Sequence, residues 1–154
     1  ITNEFGCDPT AATPNCVRTV QTDQSVDFSV TASLTTRMPG ATRNWAARWT
    51  GLVRPSLSET YTFHAGGSVA GTDTAERVKL WVDNSLIISQ WESLAVAGAA
   101  ATGHIDLVGD RYYEVLLEAK TLTASTTATA PFQLQWSSNH HAASVISSSR
   151  LFQS

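Results

Sequence analysis

This sequence of 154 residues has few of the residue types that catalytic and metal centres use. It contains two cysteines, four histidines and one methionine, and only 15% of its residues are charged. It has no Gly-x-Ser-x-Gly motif, so the nucleophile elbow of a serine hydrolase is not predicted. The histidines are scattered, and the adjacent pair His140 and His141 would point to opposite faces of an extended chain. We therefore predict that the chain is not an enzyme.

Long apolar runs and clusters of basic residues are also missing. No segment approaches the roughly 20 apolar residues that a membrane-spanning helix needs, so membrane insertion is not predicted. The chain has 10 Lys and Arg against 13 Asp and Glu, a formal net charge of -3. Without a basic surface for phosphates, nucleic acid is not an expected partner. With 42% hydrophobic residues, the chain is long enough for one domain with its own core.

The only cysteines, Cys7 and Cys16, lie close together in the sequence. The segment between them, DPTAATPN, has two prolines and small residues that favour a tight loop. We predict a disulfide, worth about 2 to 3 kcal/mol, and therefore an oxidising compartment. The alternative is a reduced pair in a cytosolic protein, although no histidine or second cysteine pair stands at zinc-site spacing beside them. Residues 1–19 are assigned to an N-terminal extension that carries this disulfide.

Alternation of apolar and polar residues predicts β-strands along residues 20–154, which we assign to a single domain. Residues 45–51 alternate, and residues 61–65 are expected to return from them as a hairpin. Residues 78–82 are expected to form a second hairpin through the turn at Asp83 and Asn84. Residues 105–107 and 113–119 are expected to form a third hairpin through Gly109 and Asp110. Further strands are predicted at residues 26–34, at residues 132–136, and at the closing edge within residues 145–152.

Several motifs within this pattern occur in a recognisable order. They are Arg48-Trp49-Thr50-Gly51, Thr60-Tyr61-Thr62-Phe63, Lys79-Leu80-Trp81-Val82-Asp83-Asn84, and Trp91. Their order and spacing resemble the protective-antigen (PA-fourteen) domain family, which occurs in bacterial toxins, glycosidases, fungal flocculins and adhesins. The resemblance covers about residues 20–153 and implies an all-β, antiparallel two-sheet β-sandwich.

The same resemblance implies which side chains fill the core. Tryptophans can stack on sugar rings, but here the motif positions favour core packing. We therefore predict that the following residues are largely buried: Trp49, Phe63, Leu80, Trp81, Leu117, Leu134 and Trp136.

The resemblance also implies a calcium-dependent sugar site. In lectin-like members, two consecutive Asp residues before the Leu-Trp strand hold a calcium ion, with an Asn from a later loop, and the ion binds sugar hydroxyls. Here Ala75 and Glu76 stand at the two Asp positions and Arg77 replaces the following Gly, so the motif is altered. Calcium needs 6 to 8 oxygen ligands. The residues that remain for the site are Asp73, Glu76 and Asn139 for calcium, and the same three with His140 for the sugar.

These features predict a carbohydrate-recognition or adhesion module of a larger secreted or cell-surface protein. Its expected partners are glycans or another extracellular protein. The chain begins at Ile1 and carries no signal peptide, so we expect it to be a piece of a longer protein. Two alternatives stay open: a structural or self-associating module whose calcium site has lapsed, and an accessory domain of a glycoside hydrolase.

Overall fold

The computed structural model describes residues 2–6, 19–28, 46–67, 76–91, 101–121 and 132–154. Within these residues the chain forms β-strands and one short 3-10 helix at Ser148–Arg150. None of the helices in the described part is long and apolar enough to cross a membrane. The strands, in chain order, are β1 (Thr2–Gly6), β2 (Thr19–Thr22), β3 (Asp27–Phe28), β4 (Ala46–Val53), β5 (Glu59–Gly67), β6 (Glu76–Val82), β7 (Ser85–Gln90), β8 (Ala101–Leu107), β9 (Tyr113–Thr121), β10 (Phe132–Ser138), β11 (His141–Val145) and β12 (Leu151–Phe152).

These strands form two antiparallel sheets. The seven-stranded sheet has the order β2-β1-β4-β9-β6-β7, and β12 pairs with β4 beyond the end of β1. The five-stranded sheet has the order β11-β10-β5-β8, with β3 also paired to β10. Their apolar faces share one core, as in a β-sandwich. The predicted all-β, two-sheet antiparallel β-sandwich is therefore confirmed.

Two of the three predicted hairpins are wrong. β4 pairs with β9 along its whole length, whereas β5 pairs with β8 and β10 in the other sheet. β8 and β9 likewise lie in different sheets. The connections at residues 54–58 and 108–112 thus carry the chain from one sheet to the other. The β6–β7 hairpin is confirmed, and Asp83 and Asn84 have φ values of 50° and 60°, as a two-residue type I′ turn requires.

Alternation decides which side chains enter the core. Six of the seven predicted core residues are buried: Trp49, Phe63, Leu80, Leu117, Leu134 and Trp136. The prediction for Trp81 is wrong, because its neighbours Leu80 and Val82 point inward and consecutive strand residues point to opposite faces. Trp81 is half-buried on the outer face of the seven-stranded sheet.

The N-terminal segment contributes directly to the sandwich. Strand β1 lies between β2 and β4 in the seven-stranded sheet, so part of the segment assigned to an extension at residues 1–19 belongs to the domain. Of the strand predicted at residues 26–34, only the first part is described, and it contains β3. Cys7 and Cys16 lie outside the described residues.

The register of β1 and β2 sharpens the disulfide prediction. Phe5 pairs with Thr19, so Cys7 lies two residues beyond this pair and Cys16 three residues before it. A bond between them would close the connection of the β1–β2 hairpin. We expect no free thiol in the unfolded, unreduced protein, and faster amide exchange in β1 after reduction, while β4, β6 and β9 stay protected. Thiol titration and hydrogen exchange test this, with a double Cys7→Ser, Cys16→Ser variant as the control. Two titratable thiols would remove this argument for secretion.

Candidate functional site

The register fixes which predicted site residues lie at which end of the sandwich. At one end, Gly67 pairs with Phe132; at the other, Glu59 pairs with Leu107. We call these the Gly67 end and the Glu59 end. The backbone N–H of Val108, next to Leu107, donates to the hydroxyl of Tyr113 at 2.8 Å, which places the start of β9 at the Glu59 end.

Glu76 lies at the opposite end from Glu59. It pairs with Thr121, the last residue of β9, whereas Val82 pairs with Val115 near the start of that strand. The first residue of β6 is therefore at the Gly67 end. Asp73 lies outside the described residues, and of Glu76 only the backbone is described.

Asn139 and His140 lie at the Glu59 end. They follow β10, which runs from Phe132 at the Gly67 end to Ser138. The Nδ1 atom of His140 forms a short contact with Oε1 of Glu59. The neighbouring Ser138 hydroxyl and then His140 hold the pKa of the Glu59 carboxyl below its ordinary value. The carboxylate therefore anchors the turn that carries both residues.

This separation concerns one part of the predicted calcium and sugar site, the combination of Asn139 and His140 with Glu76. The seven residues of β10 hold its two ends roughly 20 Å apart, at about 3.3 Å per residue. Calcium ligands all lie within about 2.3–2.6 Å of one ion. Asn139 and His140 therefore cannot share a site with Glu76, and this part of the prediction is wrong. Across the part of the chain that the structure describes, no group of three or more His, Cys, Asp or Glu residues could hold a metal ion.

The outer face of the seven-stranded sheet carries a row of largely apolar side chains. Thr50 pairs with Leu116, Leu116 with Trp81, and Trp81 with Leu86, so the row crosses four strands. A register shift between Leu80 and Trp81 brings Leu86 opposite Trp81. Leu86 is 48% exposed and continues the apolar row to the outermost of the four strands.

A groove lies along this row. It has a volume of ≈ 530 Å³ and is bordered by both apolar and polar side chains. Its lining consists of Thr50, Gly51, Trp81, Asn84, Glu114, Val115, Leu116 and Ser154. The turn of the β6–β7 hairpin presents Asn84, and the N–H of Asp83 donates to the carbonyl of Glu114 at 2.8 Å. This bond fixes the turn against β9, so the polar rim of the groove rests on paired strands.

A charged row runs beside the apolar one. Arg48 donates to Glu118 at 2.6 Å, and the two residues are opposite each other on β4 and β9. On the other side of β9, Glu118 lies opposite Lys79 of β6. The ammonium groups of Lys79 and Lys120 lie 5.0 Å and 4.1 Å from the ring centroid of Trp91. Lys79 is 5.9 Å from the Trp81 ring and is thus held mainly by Trp91. These are ordinary cation–π contacts that stabilise the sheet surface.

The arrangement of the strands defines an antiparallel β-sandwich domain of the protective-antigen type. The model of the PA14 domain family matches residues 7–150, and the chain belongs to this family. The resemblance in the ordered motifs is therefore confirmed.

Two of the similar proteins are an anti-sigma factor and a protein that contains an anti-sigma factor domain. The anti-sigma-I factor RsgI3 of Acetivibrio thermocellus is 35% identical over 113 residues, which cover 71% of this chain and 15% of that protein. An anti-sigma factor domain-containing protein from Clostridium clariflavum has a TM-score of 0.74 and 27% identity, over 99% of this chain and 46% of that one. The chain thus spans less than half the length of either protein.

A fungal adhesin shares the fold at low identity. The epithelial adhesin 6 A domain from Candida glabrata, solved in complex with Galb1-3GlcNAc, has a TM-score of 0.65 and 11% identity. The match covers 99% of this chain and 86% of the adhesin domain.

Proposed function

We propose that this chain is a non-catalytic, extracellular carbohydrate-recognition module of a larger secreted or cell-surface protein. The observation that carries the proposal is the sandwich itself, shared with the adhesin domain over nearly the whole of both chains. That adhesin domain was solved with a disaccharide, and the PA14 family includes this chain. The groove at Trp81 adds support, because it combines an aromatic surface with polar groups, as small-molecule sites do.

Calcium is a narrower part of the proposal. With Asn139 at the Glu59 end, it rests on Asp73 and Glu76. Two carboxylates on one connection would give weak binding, at about 0.1 to 1 mM, the range of extracellular calcium modules.

A second candidate is favoured by the relatives. Both the curated relative at 35% identity and the clostridial protein at 27% are described as anti-sigma factors or as containing an anti-sigma factor domain. In this version, the module would supply ligand binding to a regulatory protein rather than to an adhesin. The two versions share the same ligand chemistry and differ in the protein that surrounds the module.

Calcium and glycan binding are tested together. Calcium is titrated calorimetrically into the wild type, an Asp73→Ala, Glu76→Ala double variant, and Asn139→Ala as the matched control. We expect heat from the wild type and from Asn139→Ala, and none from the double variant, because only the first two keep both carboxylates. Equal loss in Asn139→Ala would contradict the placement of that residue at the far end.

The wider proposal is tested on a glycan array, with and without chelator. We expect at least one glycan to be bound by the wild-type chain. If no glycan on the array is bound, the result contradicts carbohydrate recognition. A structural or self-associating module would then be the working hypothesis.

A further inference from the structure

We propose that the groove at Trp81 is a calcium-independent binding site for a neutral glycan chain. The inference rests on the proposed function, which it extends by naming a site and a class of sugar. Val82 and Asn84, which follow Trp81, lie towards the Glu59 end, whereas Glu76, where β6 begins, lies at the Gly67 end.

The shape of the groove suits an extended ligand. Its floor follows the row from Thr50 through Leu116 to Trp81, across two inter-strand spacings or about 10 Å, and the row continues to Leu86 for a total of about 14 Å. That length accommodates an oligosaccharide lying across the strands rather than one ring. Leu86 extends the apolar surface beyond the enclosed part of the groove.

The chemistry of the lining suits sugars. Trp81 offers a broad apolar ring for the C–H face of a pyranose. The rim adds a hydroxyl from Thr50, an amide from Asn84 and a carboxylate from Glu114, which together can donate to and accept from sugar hydroxyls. The lining contains the Glu114 carboxylate and no basic side chain. The ammonium of Lys79, 5.9 Å from the Trp81 ring, lies closer to Trp91, so within the groove a carboxylated sugar would meet the carboxylate alone. A neutral glycan is the class that fits.

The groove is also held in place before a ligand arrives. Trp81 and Leu116 lie on paired strands in the middle of the sheet, and Asn84 lies in a two-residue turn. The bond from Asp83 to the Glu114 carbonyl ties that turn to the strand that carries Glu114. Binding therefore needs little ordering of the protein, which preserves affinity.

The test is affinity electrophoresis through gels that contain soluble polysaccharides. The neutral panel is a mixed-linkage glucan, a xylan, a xyloglucan and a galactomannan, and a polygalacturonate is the anionic counterpart. The variants are Trp81→Ala, Asn84→Gly, which keeps a residue suited to positive φ, and Trp91→Ala, which removes an indole from the same face outside the groove. Circular dichroism checks that each variant is folded, and all runs are repeated with chelator.

We expect retardation of the wild type by at least one neutral polysaccharide, unchanged by chelator and stronger than retardation by polygalacturonate. Trp81→Ala should weaken binding about tenfold and Asn84→Gly a few-fold, while Trp91→Ala matches the wild type.

Four outcomes would overturn the inference. Wild-type affinity in both groove variants would place the sugar elsewhere. If retardation is seen without chelator and disappears completely with it, glycan binding depends on calcium and is assigned to the connection that carries Asp73. The proposed function would then still hold. Self-association that disappears in Trp81→Ala would identify a second copy of the chain as the occupant. No retardation by any polysaccharide, together with no binding on the glycan array, would contradict the proposed function as well.

Discussion

Replacement of Trp49 by alanine is expected to lower the free energy of unfolding by roughly 3 to 5 kcal/mol. Trp49 is fully buried, and its ring stacks on Phe132 with centroids 5.4 Å apart and planes 9° apart. It also contacts Phe28, at 6.0 Å. Both partners lie in the five-stranded sheet, so one side chain joins the two layers. Domains of this kind are stable by about 5–15 kcal/mol, so the loss is a large share of the total.

Trp49 also contributes a polar contact. Its Nε1–H donates at 3.1 Å to Oδ2 of Asp23, a carboxylate that is 98% buried and also accepts from Gln21 at 3.2 Å. A Trp49→Phe variant keeps a ring and removes this donor. We expect it to cost about 1 to 3 kcal/mol, the usual penalty for depriving a buried polar group of a partner.

Denaturant unfolding followed by circular dichroism measures both Trp49 variants. Trp91→Ala is the matched control. Trp91 is half-buried on the outer face, and the interactions described for it are its cation–π contacts with Lys79 and Lys120. We expect it to cost far less than Trp49→Ala. Equal costs for the two would contradict the assignment of Trp49 to the interface between the sheets.

Local patterns in the sequence predicted the strands better than their partners. The alternation around Trp49 and Leu117 placed both residues in the core, and Asp83-Asn84 identified the one short hairpin correctly. The segments on either side of Pro55 look like a hairpin as well. Alternation reports that a strand has one buried face, but it does not say whether the next strand lies beside it or across the core.

The same limit explains the errors at the candidate site. Asn139 follows the last long strand in the sequence, and nothing local shows at which end of the sandwich that strand stops; its antiparallel pairing with β5 decides this. Trp81 matched a motif position, yet the inward direction of Leu80 was already enough to place it outside. No local signal linked Asp23 to Trp49, which lies 26 residues away in the chain.

An isolated glycine in β8 marks a further feature that the alternation did not reveal. Gly103 pairs with the buried Phe63 and is itself buried, so its position faces the core. A Cβ at Gly103 would lie 2.1 Å from the carbonyl oxygen and 2.6 Å from the carbonyl carbon of Ile87. Ile87 belongs to β7 in the other sheet, so the two backbones approach closely here. A glycine within a strand pattern is a known sign of such an approach.

Gly103→Ala is therefore expected to destabilise the domain by about 3 kcal/mol, at the upper end of the usual cost of overpacking. The obstructing atoms belong to a strand backbone that cannot rotate away, so β7 and β8 must separate. For a chain of this size, this loss corresponds to a fall of roughly 6 to 12 °C in the thermal midpoint, which calorimetry measures directly. Thr102→Ala is the matched control, because Thr102 is the exposed neighbour on the same strand and its change should stay within about 0.5 kcal/mol.

Because β7 also carries Leu86 beside Trp81, a displaced β7 should weaken glycan binding at the groove in the variant that remains folded. An unchanged midpoint in Gly103→Ala would show that the two sheets do not meet at this edge.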